Sequence, residues 1–152
     1  MAEVNVEDTL AIYSLYARYA RAIDSGDGES WSRCYTHDGV YSSSTFGECR
    51  GRENLSAFAV DHFARWMDQG VQTRHWNGQV LLTPTAEGVD GSVYVLLLGV
   101  KRGEAPQIFL QTVYTDTLVK VGGNWELARR RSDADMVPDP SQLGFTKWAD
   151  QS

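Results

Sequence analysis

Two side chains in this sequence have the types and positions of a proton-abstracting base and the group that orients it: His75 and Asp24. Asp24 follows Tyr16 and Ala20 in steps of four, so a helix here would place its carboxylate on an apolar face that also carries Tyr13. A buried carboxylate is costly unless it is paired, and an imidazole is a natural partner. His75 lies in the stretch TRHWNGQV, directly before an apolar run. An imidazole held by a carboxylate keeps one tautomer, as a general base requires.

Both residues also have a structural interpretation. Asp24 could cap the turn that begins at Ser25-Gly26, and a lone histidine is more often structural than catalytic. The other two histidines are weaker candidates on position alone. His62 falls at helical spacing among aromatic residues, in the core or on the surface of its helix, and His37 is expected to be solvated in a turn.

The helices that would position the pair lie in the first half of the chain, and strands follow. Apolar periodicity and breaker residues predict helices over 6–25, 29–35 and 53–67, a turn at His37-Asp38-Gly39 and a short strand from Val40-Tyr41. Segments rich in Val, Leu, Tyr and Thr predict strands over 73–84, 88–101, 107–121 and 124–133. Helices followed by an antiparallel sheet are an α+β pattern. A strongly curved sheet that closes over the first helix would form a cone with a pocket.

Length and charge exclude several classes of protein. A chain of 152 residues favours one domain over 1–152, with a core over about 6–135 and a tail over 136–152. A net charge of -6 disfavours nucleic acid as a partner. The longest apolar stretch, Val93 to Val100, is too short to cross a bilayer, and the N-terminus has no signal-peptide pattern. The two cysteines, Cys34 and Cys49, are expected to be free thiols in a reducing cytoplasm.

No cofactor is indicated by the sequence. No cluster of His, Cys or carboxylate residues has the spacing of a metal site, and no Gly-rich loop links a strand to a helix as a nucleotide site requires. The expected partner is therefore a small-molecule substrate bound without metal or cofactor.

Four features in this order resemble the SnoaL-like branch of the NTF2-like superfamily. The first helix ends in YARAID followed by SGD, the segment HDGVY comes after the second helix, and His75 begins the first long strand. The segment LQTVYT then leads through GGNW into a final strand that bears Arg130. The resemblance covers about residues 6 to 135 and implies a cystatin-like cone, with the first helix across a sheet-lined pocket.

The resemblance also implies roles for individual residues. In the elimination enzymes of this family, an aspartate at the end of the first helix orients a histidine that removes a proton from substrate carbon, and Asp24 and His75 occupy those places. Tyr19 would donate to a leaving hydroxyl or an enolate, and Arg130 would stabilise an anionic leaving group. Tyr19 stands where the family's dehydrochlorinase has lysine, which favours loss of water over loss of halide.

Both helper residues have an alternative interpretation. Tyr19 could be a tyrosine of an amphipathic helix with its oxygen in water. Arg130 belongs to a run of three arginines along a predicted strand, of which at most one faces inward.

The pocket wall is expected to be aromatic and aliphatic. The candidates, taken from the resemblance and from strand alternation, are Tyr41, Val95, Leu97, Leu110, Thr112 and Tyr114. Tyr41 could instead be a core tyrosine. Such a wall suits an aromatic, polycyclic or alicyclic substrate.

The sequence thus predicts a cofactor-independent lyase, a dehydratase or a related elimination catalyst. An isomerase or a polyketide-cyclase-like enzyme could use the same pocket. A non-catalytic association module, like the β-subunits of ring-hydroxylating dioxygenases, is the alternative from another class. The family further implies a homodimer or homotrimer.

Overall fold

The computed structural model describes residues 3–135, which form helices packed on one curved sheet. The helices are α1 (Val6–Ile23), α2 (Gly28–Ser32) and α3 (Arg52–Asp68). The strands are β1 (Tyr35–Ser43), β2 (Gly47–Arg50), β3 (Val71–Pro84), β4 (Val89–Lys101), β5 (Gln107–Val121) and β6 (Asn124–Ala134). Six strands lie in the order β2-β1-β6-β5-β4-β3, so the predicted α+β class with N-terminal helices on a sheet is confirmed.

Helix α1 is fixed at both ends, which sets the position of Asp24 directly after it. At its start the Asn5 side chain accepts a hydrogen bond from the backbone N–H of Asp8 at 2.9 Å. The Asp8 carboxylate in turn accepts from Lys120 and Trp125 on the β5–β6 hairpin, at 2.7 and 2.8 Å. Past its end, Gly26 has a φ of 72°, and a Cβ there would lie 2.6 Å from the Phe63 ring.

The sheet is antiparallel except for one pair. β1 runs parallel to β6, with Val40 opposite Arg129 and Tyr41 opposite Arg130. The parallel pair departs from the expected antiparallel sheet, because β1 and β6 are far apart in the chain and no hairpin dictates their direction. On β4 and β5 alternate residues face the helices and are buried, as the sequence alternation requires.

Two local predictions are wrong. The second helix was expected to reach Tyr35, but it ends at Ser32 and Tyr35 begins β1. The expected turn at His37-Asp38-Gly39 lies within β1, where the register against β6 shifts between Tyr35 and Val40. These turn-forming residues make an irregularity within one strand and do not end it, because β1 pairs with β6 both before and after them.

The remaining element bounds agree with the predictions to within about two residues, apart from β2, a short strand that was not predicted. The expected tail, 136–152, lies outside the described residues. Within residues 3–135, no helix is long and apolar enough to span a membrane.

Candidate active site

A buried hydrogen-bonded pair joins the end of α1 to β3. The Asp24 Oδ1 atom lies 2.7 Å from His75 Nδ1, and Asp24 Oδ2 accepts the backbone N–H of His75 at 2.9 Å. The two side chains are only 8% and 10% exposed. An ionised carboxylate can only accept hydrogen bonds, so the proton of the neutral imidazole is on Nδ1. Nε2 is then the nitrogen that can take up a proton. This is the geometry of a general base with its orienting group.

The helix end and the strand are held together by a second contact. The Gln72 side-chain amide donates to the backbone carbonyl of Asp24 at 3.2 Å and to that of Thr73 at 3.1 Å. The carboxylate and the imidazole therefore sit on two rigid elements that are joined both at the backbone and at the side chains. The expected apolar face of α1 is not uniform, since Tyr13 is 48% exposed while Tyr16 and Ala20 are buried.

A narrow cavity lies between α1, α3 and the concave face of the sheet. All the residues predicted for the pocket wall line it, namely Tyr41, Val95, Leu97, Leu110, Thr112 and Tyr114. Tyr19 and His75 line it as well. Its volume is about 20 Å³, which is room for about one water molecule.

An open groove runs along the other side of the pair. Its volume is about 850 Å³, and it is lined by α1, by Phe63 and by β3 from Gln72 to Val80. Asp24 borders the groove, and His75 borders both the groove and the interior cavity. The pair thus stands between the interior cavity and the open groove.

Tyr19 lies inside the structure. It is 2% exposed, which excludes the alternative of a phenol in water, and its ring packs 6.0 Å from that of Tyr114. Burial, together with the neighbouring Tyr35, raises the pKa of the Tyr19 phenol well above its ordinary value. At neutral pH the phenol is therefore protonated and can serve as a hydrogen-bond donor.

Arg130 faces inward, but it is committed to another partner. Its guanidinium forms a bidentate pair with Asp116, with Nε–Oδ1 at 2.7 Å and Nη2–Oδ2 at 2.6 Å, and both side chains are fully buried. The Cζ atom also lies 4.9, 4.2 and 4.1 Å from the ring centroids of Tyr16, Tyr19 and Tyr114. Arg130 does not line the cavity. We therefore assign it a structural role behind the pocket wall in place of the role at the leaving group.

The cavity wall also carries hydroxyl groups. Thr112 Oγ1 donates to the backbone carbonyl of Asp133 at 2.7 Å, so it accepts from Ser132 Oγ, which lies 3.0 Å away. Tyr41 lies on the same wall, and burial raises the pKa of its phenol to about 12. A ligand in the cavity would meet polar groups as well as rings and aliphatic side chains.

His62 is a titratable residue of the cavity wall whose place there was not predicted from the sequence. It lies on α3, is 8% exposed, and its ring centroid is 6.0 Å from that of His75. Helical spacing alone could not distinguish a core position from a cavity position. Among residues 3–135, no three His, Cys, Asp or Glu side chains are grouped in a way that could hold a metal ion.

The burial of His62 predicts acid sensitivity. Burial first, then His75 and Arg65, lower its pKa to about 3, whereas an unfolded histidine titrates near pH 6.5. The unfolded chain binds this proton over that interval and the folded chain does not, so stability is complete above pH 6.5 and falls as the pH drops towards 3. Going from pH 7 to pH 5 should remove about 2 kcal/mol through this group.

Urea denaturation at the two pH values measures this loss. We expect His62→Phe to flatten the pH dependence by that amount, and His37→Gln, at an exposed site, to leave it unchanged. Equal pH dependence in the wild type and His62→Phe would contradict the assignment.

The fold and the site together define a class: α+β proteins whose N-terminal helices lie on a curved sheet, with a carboxylate–imidazole pair at the wall of the enclosed cavity. The chain belongs to the SnoaL-like domain family, whose model matches residues 4–131. No curated protein sequence matches the chain.

Solved structures show the same fold. An aspartate-to-asparagine variant of Rv3472, a Mycobacterium tuberculosis protein of unknown function, is 30% identical, with a TM-score of 0.74 over 88% of this chain and 76% of that one. ActVI-ORFA from Streptomyces coelicolor is 22% identical, with a TM-score of 0.81 over 89% and 100%. An NTF2-like protein with a cystatin-like fold from Novosphingobium aromaticivorans is also 22% identical, with a TM-score of 0.77 over 93% and 90%.

Proposed function

We propose that this protein is a cofactor-independent lyase, a dehydratase or a related elimination catalyst, in which His75 removes a proton from substrate carbon. The observation that carries the proposal is the 2.7 Å contact between Asp24 and His75 at the wall of an enclosed cavity. A buried carboxylate whose two oxygens both accept hydrogen bonds from one histidine orients that histidine and stabilises it once it is protonated.

The proposed reaction uses three side chains. His75 Nε2 takes the proton, and the C–H electron pair becomes the new double bond. The bond to the leaving oxygen breaks, and the proton that His75 took passes to that oxygen, which departs as water and leaves His75 neutral again. Tyr19 donates the hydrogen bond that stabilises the departing oxygen, which its protonated phenol permits. This phenol favours dehydration over the halide loss of the family's dehydrochlorinase.

The proposed substrate is a small aromatic, polycyclic or alicyclic compound. Aromatic rings and the aliphatic side chains Val95 and Leu97 line the cavity, and hydroxyl groups belong to the same wall. A cavity of about 20 Å³ holds no such compound until a side chain moves. Phe46 is the best candidate for that movement, because it lies on the turn between β1 and β2 and is only partly buried.

Replacing Phe46 by alanine should enlarge the mouth of the cavity. Its ring packs 5.8 Å from His62 and 6.3 Å from Phe58, so its removal frees space beside these two side chains. We expect kcat/KM for bulky substrates to rise about 10-fold relative to small ones, since steric exclusion of about 1.4 kcal/mol is relieved. Steady-state kinetics on a graded series measures the ratio. Phe63→Ala, at a half-buried phenylalanine that faces the groove, is the matched control.

The proposed function is tested with an elimination reporter. Nitro-substituted benzisoxazoles lose a carbon-bound proton to a base, the N–O bond breaks, and a coloured phenolate forms. We expect the wild type to catalyse this ring opening and to dehydrate members of a panel of cyclic β-hydroxy ketones. A protein that accelerates neither reaction would not be this lyase. The homodimer or homotrimer and the cytoplasmic location stay predictions.

A further inference from the structure

A second imidazole faces the proposed base across the cavity. His62, on α3, and His75, on β3, both line the interior, with ring centroids 6.0 Å apart. The His62 ring is held between aromatic neighbours, stacked on Phe58 at 5.8 Å and edge-on to Phe46 at 5.8 Å. Adjacent atoms of one bound ligand are therefore within reach of both imidazoles.

The two histidines differ in what surrounds them. Asp24 holds His75 at Nδ1, so His75 is the ring that can carry an extra proton. His75 across the cavity and Arg65 on the same helix both oppose a positive charge on His62. The pKa of His62 lies at about 3, so this ring is neutral at neutral pH. A neutral imidazole still has one N–H to donate.

We propose that His62 is a second catalytic residue, which donates a hydrogen bond to the substrate oxygen on which negative charge develops while His75 removes the proton. The inference rests on the proposed function and narrows its substrate class. The reacting carbon must carry its oxygen substituent, a carbonyl that becomes an enolate or a departing hydroxyl, within one or two bonds. A simple halide with no such oxygen would gain nothing from His62.

His75 and His62 have separate tasks in this step. The proton moves from carbon to His75 Nε2, the electron pair moves towards the oxygen, and His62 lends its N–H without transferring it. His62 therefore neither gains nor loses a proton over the cycle. A dipole fixed in a buried site stabilises charge on oxygen more strongly than water does, because it needs no reorganisation.

The test uses mononitro and dinitro benzisoxazoles, whose leaving oxygens differ in basicity. Against the mononitro compound we expect His62→Phe to lose about 100-fold in kcat, the lower end of the usual effect of removing one such donor. Against the dinitro compound, whose phenolate needs less stabilisation, the loss should be smaller. His62→Gln, which keeps a donor in a side chain of similar length, should stay within about fivefold of wild type.

The outcomes separate this inference from the proposed function. If His75→Ala abolishes the reaction while His62→Phe reacts like the wild type with both compounds, the role of His75 as the base is supported and the role of His62 is overturned. If His62→Phe and His62→Gln lose the same factor with both compounds, His62 acts only through packing, which also overturns it. If no rate depends on His75, the proposed function fails first, and this inference fails with it.

Discussion

Replacing His75 by alanine should lower kcat/KM for the elimination by about 1,000-fold, because the base that takes the carbon-bound proton is gone. Asp24→Asn should lose a similar factor. An amide in the place of the carboxylate cannot stabilise the protonated imidazole, and its NH₂ group competes for the position that Nδ1–H donates to. Both losses should appear in kcat with the benzisoxazole reporter.

Neither change should prevent folding. Asp24→Asn has the same shape, and an amide oxygen can still accept the His75 backbone N–H that Asp24 Oδ2 accepts now. We expect melting temperatures within a few degrees of wild type for both variants. His37→Ala and Asp38→Asn, at exposed positions of β1, are the matched controls and should keep full activity. A large loss of stability with full activity per folded molecule would show instead that the pair is structural.

Arg130→Met should cause the largest loss of stability of any change discussed. It leaves the fully buried Asp116 carboxylate without its bidentate partner and removes the cation that three tyrosine rings surround. Breaking a buried pair from one side costs about 3–5 kcal/mol. For a domain of this size the melting temperature should fall by about 10 °C or more. Thermal and urea denaturation measure both quantities.

A paired replacement separates the causes of that loss. In Arg130→Met combined with Asp116→Leu no unpaired charge is buried, so the double variant should recover much of the stability. Arg129→Gln, at the exposed neighbouring position, is the control and should change little. If Arg130→Met folded with wild-type stability but lost its activity, the original expectation of a catalytic arginine would return.

The strands and the pair at the site were predictable because each follows from a local rule. Alternation in β4 and β5 assigns alternate residues to the buried face, and four of the positions so assigned, Val95, Leu97, Thr112 and Tyr114, line the cavity. Asp24 was found because a carboxylate on an apolar helix face demands a partner. Its link to His75 also needed the family pattern, since a sequence does not state which strand approaches a helix end.

The features that were missed depend on contacts between distant segments. Asp116 is in step with Thr112 and Tyr114 on β5, so its burial could have been predicted, and a buried carboxylate there calls for a cation on a neighbouring strand. That signal would have assigned Arg130 to Asp116. The parallel pairing of β1 with β6 and the position of His62 in the cavity left no such local signal.

The contact between Asp24 and the backbone of His75 has a consequence beyond chemistry. Within residues 3–135, β3 pairs only with β4, so its other edge carries backbone N–H groups with no described strand beside them, and a foreign strand could add there. Asp24 accepts one of these N–H groups, and Gln72 links the same edge to the end of α1. In the proposed function this carboxylate orients the base, and in the fold it also occupies a backbone N–H that an added strand would need. Loss of the reaction would therefore leave a structural reason to keep an aspartate at this position.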